Sequence, residues 1–164
     1  MHILIAPDSF KESLSALDAA KAIQRGLKKA LPNATFDLMP IGDGGEGTLE
    51  TLTDGLHLRR DSHIVTGALG QPVEAHYATN GQLAVFEMAD ICGLEKVPLD
   101  KRNPLTLTTK GVGEMIGHLV DLGTKEIMIG VGGSSTNDGG IGMAAGLGYR
   151  FFDESGQEVA ADGD

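Results

Sequence analysis

Ile127-Met128-Ile129-Gly130-Val131-Gly132-Gly133-Ser134-Ser135-Thr136-Asn137-Asp138-Gly139-Gly140 is the stretch on which the reading of this chain turns. An apolar run of strand length (Ile127, Met128, Ile129, Val131) breaks into small and polar residues, and a small-residue helix is predicted to begin near Asp138. Between a strand end and a helix start, free backbone N–H groups and the helix dipole favour an anion such as phosphate, and glycine lets the main chain come close to it. Ser134, Ser135 and Thr136 add hydroxyl donors. Asn137 and Asp138 are helix-capping types that equally suit a metal or a substrate hydroxyl. The plain alternative is a glycine-rich βα turn with Asp138 as its N-cap. The stretch is not a Walker A loop, since no Lys-Ser/Thr follows the glycines, and it is not the dinucleotide GxGxxG.

A second loop of the same character, Gly42-Asp43-Gly44-Gly45-Glu46-Gly47, lies about 90 residues earlier. Two acids three apart among four glycines have no core-packing reason to exist, so a substrate or magnesium loop is expected here over a plain turn. The oxygen ligands are too few and too crowded for an EF-hand calcium loop.

Residues 2–6 read as a strand buried on both faces, as in a covered parallel sheet, and Pro7 ends it. Asp8, Ser9, Phe10 and Lys11 follow at its carboxyl end, the side on which open α/β sheets place ligands. Lys11 suits a phosphate or carboxylate, or else is a solvated loop lysine; Asp8 suits a metal or a hydroxyl. Ser15 with Asp18 marks a helix start, and Ala16, Ala20, Ile23, Leu27 and Ala30 share its apolar face. A strand over 35–41 delivers the 42–47 loop, and a helix begins at 48. Beyond residue 55 the pattern turns to strands over 60–68, 73–79 and 82–88, joined by turns at 69–72 and at Asn80-Gly81, a strong hairpin signal. The shift puts a domain boundary near residue 57. In the loop 98–104, Arg102 offers a planar fork that matches a carboxylate, against the alternative of a plain surface arginine. A helix over 113–122 leads into the 127–140 stretch, and segments 149–152 and 158–160 flank an expected hairpin.

Glycine supplies 24 of 164 residues, about twice the usual share, with no collagen period, so the excess sits in turns and loops. A net charge of −10 and 4% aromatic content with no Trp argue against nucleic acid or an anionic membrane as partner, since both demand cationic surface. The single Cys92 excludes an intrachain disulfide and suits a reducing cytoplasm. Five histidines show no paired ligand spacing for zinc. No signal peptide or long apolar run is present, so a soluble, cytoplasmic protein is expected.

Taken together, Ile-Ala-Pro-Asp-Ser-Phe-Lys-Glu-Ser-Leu-Ser at 5–15, Gly-Asp-Gly-Gly-Glu-Gly at 42–47, Lys-Arg-Asn-Pro at 101–104 and Gly-Val-Gly-Gly-Ser-Ser-Thr-Asn-Asp-Gly-Gly at 130–140 resemble the amino-terminal part of the type 1 bacterial glycerate kinases. Four unusual motifs in the family's order cover almost all of the chain. The resemblance implies ATP-dependent phosphorylation of glycerate, with Mg2+, in a cleft between two α/β lobes. It implies an α/β fold in which residues 1–57 are the first part of a discontinuous Rossmann-like lobe with a parallel sheet. Residues 58–164 would begin a second, inserted lobe. Family members are more than twice as long, so a truncated chain that associates through its unfinished lobe, or forms a homo-oligomer, is expected. An inactive anion-binding remnant and a phosphosugar isomerase are the rival readings. 2-Phosphoglycerate is the expected product, although the sequence leaves C2 and C3 open.

The resemblance marks the motifs, and residue type suggests the roles within them. Gly132, Gly133, Ser134, Ser135 and Thr136 form the expected phosphate cradle for ATP. Asp43, Glu46 and Asp138 compete for magnesium, and Asp43, Asp138 and Lys11 for catalysis. Asp8, Ser9, Glu46, Arg102 and Asn103 are the expected glycerate contacts.

Overall fold

The structure is a computed structural model that describes residues 1–10, 13–161 and 163. Its first strand, β1 (His2–Ile5), pairs in parallel with β2 (Thr35–Leu38), Ile3 lying opposite Phe36. The helix between them, α1 (Ala16–Ala30), starts where the sequence places it. The Ser15 hydroxyl accepts from Asp18 N at 3.2 Å and donates to Asp18 Oδ2 at 3.0 Å, which fixes the first turn. Ala16, Ala19 and Ala20 are buried, but Ile23 and Leu4 are 42% and 56% exposed. The expectation of a first strand buried on both faces is therefore corrected. Ile5 is its one buried residue, because α1 packs on this small sheet and no other described element covers Leu4.

The second sheet has the order β3 (Arg59–Thr66), β4 (Pro72–Thr79), β5 (Leu83–Glu87), β6 (Glu126–Gly130). Its first three strands run antiparallel and β6 joins β5 in parallel. The Asn80-Gly81 hairpin forms as expected, Asn80 Oδ1 accepting from Gln82 N and Leu83 N while Gly81 takes a positive φ of 89°. Strand alternation splits the apolar residues between two faces. Phe86 joins Ile91, Leu107, Val112, Met115 and Leu119 in the larger core, under α3 (Met88–Cys92) and α4 (Lys110–Asp121). Val85 and Ala78 face the other way, onto Leu49 and Leu58. Leu49 belongs to α2 (Thr48–Gly55), so packing joins α2 to the second sheet although it precedes residue 57.

After β6 the chain runs through the second glycine loop into α5 (Ile141–Gly146), which packs against α4. Its N-cap is Gly140, with φ 82°. Asp138 thus lies two residues ahead of the capping position expected for it, because two glycines in left-handed conformation delay the helix. The expected terminal hairpin is reduced to a single bridge between Phe152 and Glu158 around a turn centred on Asp153. Cys92 is fully buried in the main core, and burial pushes its thiol up to about 11. Among the described residues no helix is long and apolar enough to cross a membrane.

Candidate functional site

The two glycine loops, far apart in sequence, lie backbone to backbone. Gly132 N donates to Gly44 O at 2.8 Å. A Cβ on Gly130 would stand 2.6 Å from Gly44 O, and one on Gly132 would stand 2.7 Å from Gly45 N. No side chain fits between these strands of main chain, so glycine is required here by close approach. Gly132→Ala is expected to pry the loops apart, lowering stability by roughly 1–3 kcal/mol, the usual cost of overpacking. Thermal unfolding of the variant measures it, and an unchanged melting temperature would contradict the contact.

Beside this junction is a cavity of about 660 Å³ lined by Asp8, Ser9, Asp43, Glu46, Glu87, Asp90, Lys96, Arg102 and Gly133, among others. It gathers residues that follow β1 and β2 together with Glu87 at the end of β5 and residues beyond it. Asp43 Oδ1 accepts from Gly45 N at 2.8 Å, which folds the loop over its own acid. Asp8 Oδ1 accepts from Ser9 N at 2.7 Å. Arg102 Nε donates to Val97 O at 3.0 Å, so the guanidinium is gripped by one edge; among the described residues its other nitrogens have no acceptor. Asn103 Oδ1 turns inward to Leu105 N at 3.3 Å in the same exposed loop and does not line the cavity. Lys11 lies outside the described residues.

Three further groups on this cavity were not among the expected site residues. Asp90 Oδ1 accepts from Lys96 Nζ at 2.8 Å, and Oδ2 accepts from His76 N at 2.8 Å with His76 Nδ1 2.9 Å away. Burial works to raise the Asp90 pKa, but Lys96 and His76 outweigh it and hold the carboxyl below its ordinary range. Glu87 is only 7% exposed and accepts from Leu49 N through Oε1 at 2.6 Å. Burial pushes its carboxyl up, against the bond from Leu49, and the nearby Asp90 and Glu46 charges add to the rise. The sequence signal for Glu87 was slight: a carboxylate immediately after the apolar run 83–86. A second cavity of about 520 Å³ shares Ser9, Glu46, Glu87 and Asp90 with the first.

The rest of the 130–140 loop turns elsewhere. Ser134, Thr136, Asn137, Asp138, Gly139 and Gly140 line a separate cavity of about 390 Å³. Ser134 Oγ lies 2.7 Å from Thr136 Oγ1, and Ser135 Oγ donates to Cys92 O at 2.8 Å, so Ser135 braces the loop against α3. Asp138 is 6% exposed and both its oxygens are engaged. Oδ1 accepts from Gly140 N at 3.0 Å; Oδ2 accepts from Thr109 N at 2.8 Å, Thr109 Oγ1 at 2.7 Å and Gly142 N at 3.2 Å. Asp43 and Asp138 consequently line different cavities, with Gly133 on the side of Asp43.

Comparison with known proteins adds a family to this geometry. A sequence model described as "Glycerate kinase family" matches residues 3–164. The chain is 53% identical to a protein named glycerate kinase from Bacillus subtilis (strain 168), over 99% of this chain and 43% of that protein. It is 44% identical to one named glycerate 2-kinase from Escherichia coli (strain K12), over 99% of this chain and 43% of that protein. A crystal structure assigned to glycerate kinase 2 of Salmonella typhimurium LT2 superposes with a TM-score of 0.83 at 47% identity, covering 99% of this chain and 44% of the other. The chain spans less than half the length of the relatives it matches.

Proposed function

The chain belongs to the glycerate kinase family, and from that premise we propose that it forms the loop-bearing wall of a cleft in which ATP phosphorylates glycerate, 2-phosphoglycerate being the product. One observation carries the reading: two glycine-rich loops joined by the bond from Gly132 N to Gly44 O flank one cavity that holds both carboxylates and cations. Phosphoryl transfer demands positioning and charge stabilisation more than covalent chemistry, and this wall offers both. Glycerate's carboxylate would meet the outer edge of Arg102, whose inner edge is already fixed by Val97 O. Its hydroxyls would face Asp8, Ser9 and the 42–47 loop.

Mg2+, when bound, supplies neutralisation of charge on the transferring phosphoryl group. Asp43 and Glu46 fit as its holders: both are exposed on the cavity, and Asp43 Oδ1 alone is taken by the loop. No group of three or more metal-ligating side chains converges among the described residues; magnesium is held by one or two carboxylates together with phosphates, so the pair suffices. Asp138, with four donors on its carboxylate, serves the fold of the phosphate-side loop instead. Gly133, on the Asp43 cavity, and Ser134, Asn137 and Gly139, on the neighbouring one, would offer main-chain N–H groups as the phosphate cradle, while Gly132, whose N–H is held by Gly44 O, joins the two loops. The division of the chain near residue 57 into two lobes, and a cytoplasmic setting, belong to the same proposal.

Because the relatives are more than twice as long, the activity is proposed for a chain of full family length. A coupled assay for ADP released on addition of glycerate tests it, with phosphorus NMR distinguishing the 2- from the 3-phosphate. Release that does not depend on glycerate, or product carrying phosphate at C3, overturns the corresponding part. In the same assay Arg102→Lys, which keeps the charge but loses the fork, is expected to raise KM for glycerate about tenfold while leaving KM for ATP alone.

A further inference from the structure

Glu87 is a buried carboxylate that the proposed chemistry does not use, and its placement relative to the other loop contacts gives it a role. The 42–47 loop and the turn after it are tied to the second sheet at two points. Gly44 O accepts from Gly132 N at 2.8 Å, and Leu49 N donates to Glu87 Oε1 at 2.6 Å. The other bonds that shape the loop are local, from Gly44 N to Thr48 Oγ1 and from Gly45 N to Asp43 Oδ1. Both outside ties come from one place, the cleft end of the parallel pair, where Glu87 and Gly130 are register partners. Glu46 lies between the two ties and Asp43 lies next to the first. We propose that Glu87 is the positioning residue of this loop: by holding the first turn of α2 it sets Asp43 and Glu46 at the cavity.

A buried acid is a costly way to fill this space. A hydrophobic residue of similar volume is often as stable or more so, and what the carboxylate adds is a fixed, directional bond to a helix N–H. The raised pKa of Glu87, set first by its burial, is consistent with that cost. The inference rests on the function proposed above only for its kinetic arm.

The test compares Glu87→Met, which keeps volume but accepts no hydrogen bond, with Glu87→Gln, whose amide oxygen accepts from Leu49 N as the carboxylate does, in the full-length chain. Amide exchange at Leu49 is expected to rise roughly 10- to 100-fold in Glu87→Met, the loss of one bond to a charged group, and to stay near the parent rate in Glu87→Gln. kcat is expected to follow the same order, falling on the order of tenfold or more in the Met variant with a smaller change in KM and recovering in the Gln variant. Unchanged Leu49 exchange in Glu87→Met overturns the tie. Faster exchange with unchanged kcat overturns the positioning of the acids. A Gln variant as inactive as Met, with Leu49 still protected, overturns it in favour of a direct role for the charge. Should no glycerate-dependent ADP release be found in the parent, the functional reading fails by itself. Leu49 exchange, with the Mg2+-induced shift of the 43–47 amides as a second readout, then still decides the inference.

Discussion

Asp43→Asn in a chain of full family length is expected to lower kcat for glycerate phosphorylation on the order of 100-fold or more, the scale of a positioned acid-base or metal-holding group. The melting temperature should stay within about 2 °C, because exposed positions away from buried networks change stability little. The reason lies in how the carboxylate is divided. Oδ1 accepts from Gly45 N and shapes the loop, and an amide oxygen accepts that bond as well. What the amide cannot supply is negative charge at the exposed side of the loop, which matters only when phosphoryl charge develops opposite it. Steady-state kinetics with a thermal melt on the same preparation check both halves. A variant with unchanged kcat removes Asp43 from the chemistry, whereas a large fall in melting temperature assigns it to folding.

Asp138→Ala should do the reverse, lowering stability by roughly 3–5 kcal/mol and the melting temperature on the order of 10 °C. Its Oδ2 gathers Thr109 N, Thr109 Oγ1 and Gly142 N, and Thr109 Oγ1 in turn accepts from Met143 N at 2.8 Å. The carboxylate therefore ties the start of α4 to the start of α5, and Thr109 is itself only 3% exposed. Removing it takes the shared acceptor from the donors of Thr109 and Gly142 and unties the two helix starts. Asp138→Asn is expected to cost about 1–2 kcal/mol, since one side of an amide accepts while the other presents N–H groups to Gly140 N. Circular dichroism melts of the three proteins rank them. Equal melting temperatures would return Asp138 to the list of candidate chemical groups.

The elements themselves were legible because their signals are local. The bond pattern of Ser15 with Asp18 starts α1, Asn80-Gly81 turns β4 into β5, and the apolar runs at 83–87 and 126–130 are strands. So were the two glycine loops, since acids and glycines at such density have no use in a core. The family, too, was legible from four motifs in order, each of them a local string.

What no local pattern carried was the way these strings meet. Both glycine loops follow strands and read alike, yet the docking of α2 on the second sheet brings Gly44 against Gly132, and Asp138 is turned into the protein while Asp43 stays at the surface. Glu87 reads in sequence as a charge ending a strand; only its approach to Leu49 N, from 38 residues away, makes it a buried tie. Likewise only the folded chain brings Lys96 and His76, 20 residues apart, onto the two oxygens of Asp90 beside the cavity. Backbone propensity and side-chain chemistry are properties of neighbours along the chain, so the sequence by itself determined the elements, the loops and the family. Burial and hydrogen-bond partners depend on which elements pack together, so only the tertiary structure decided which acids face the cavity and which hold the walls in place.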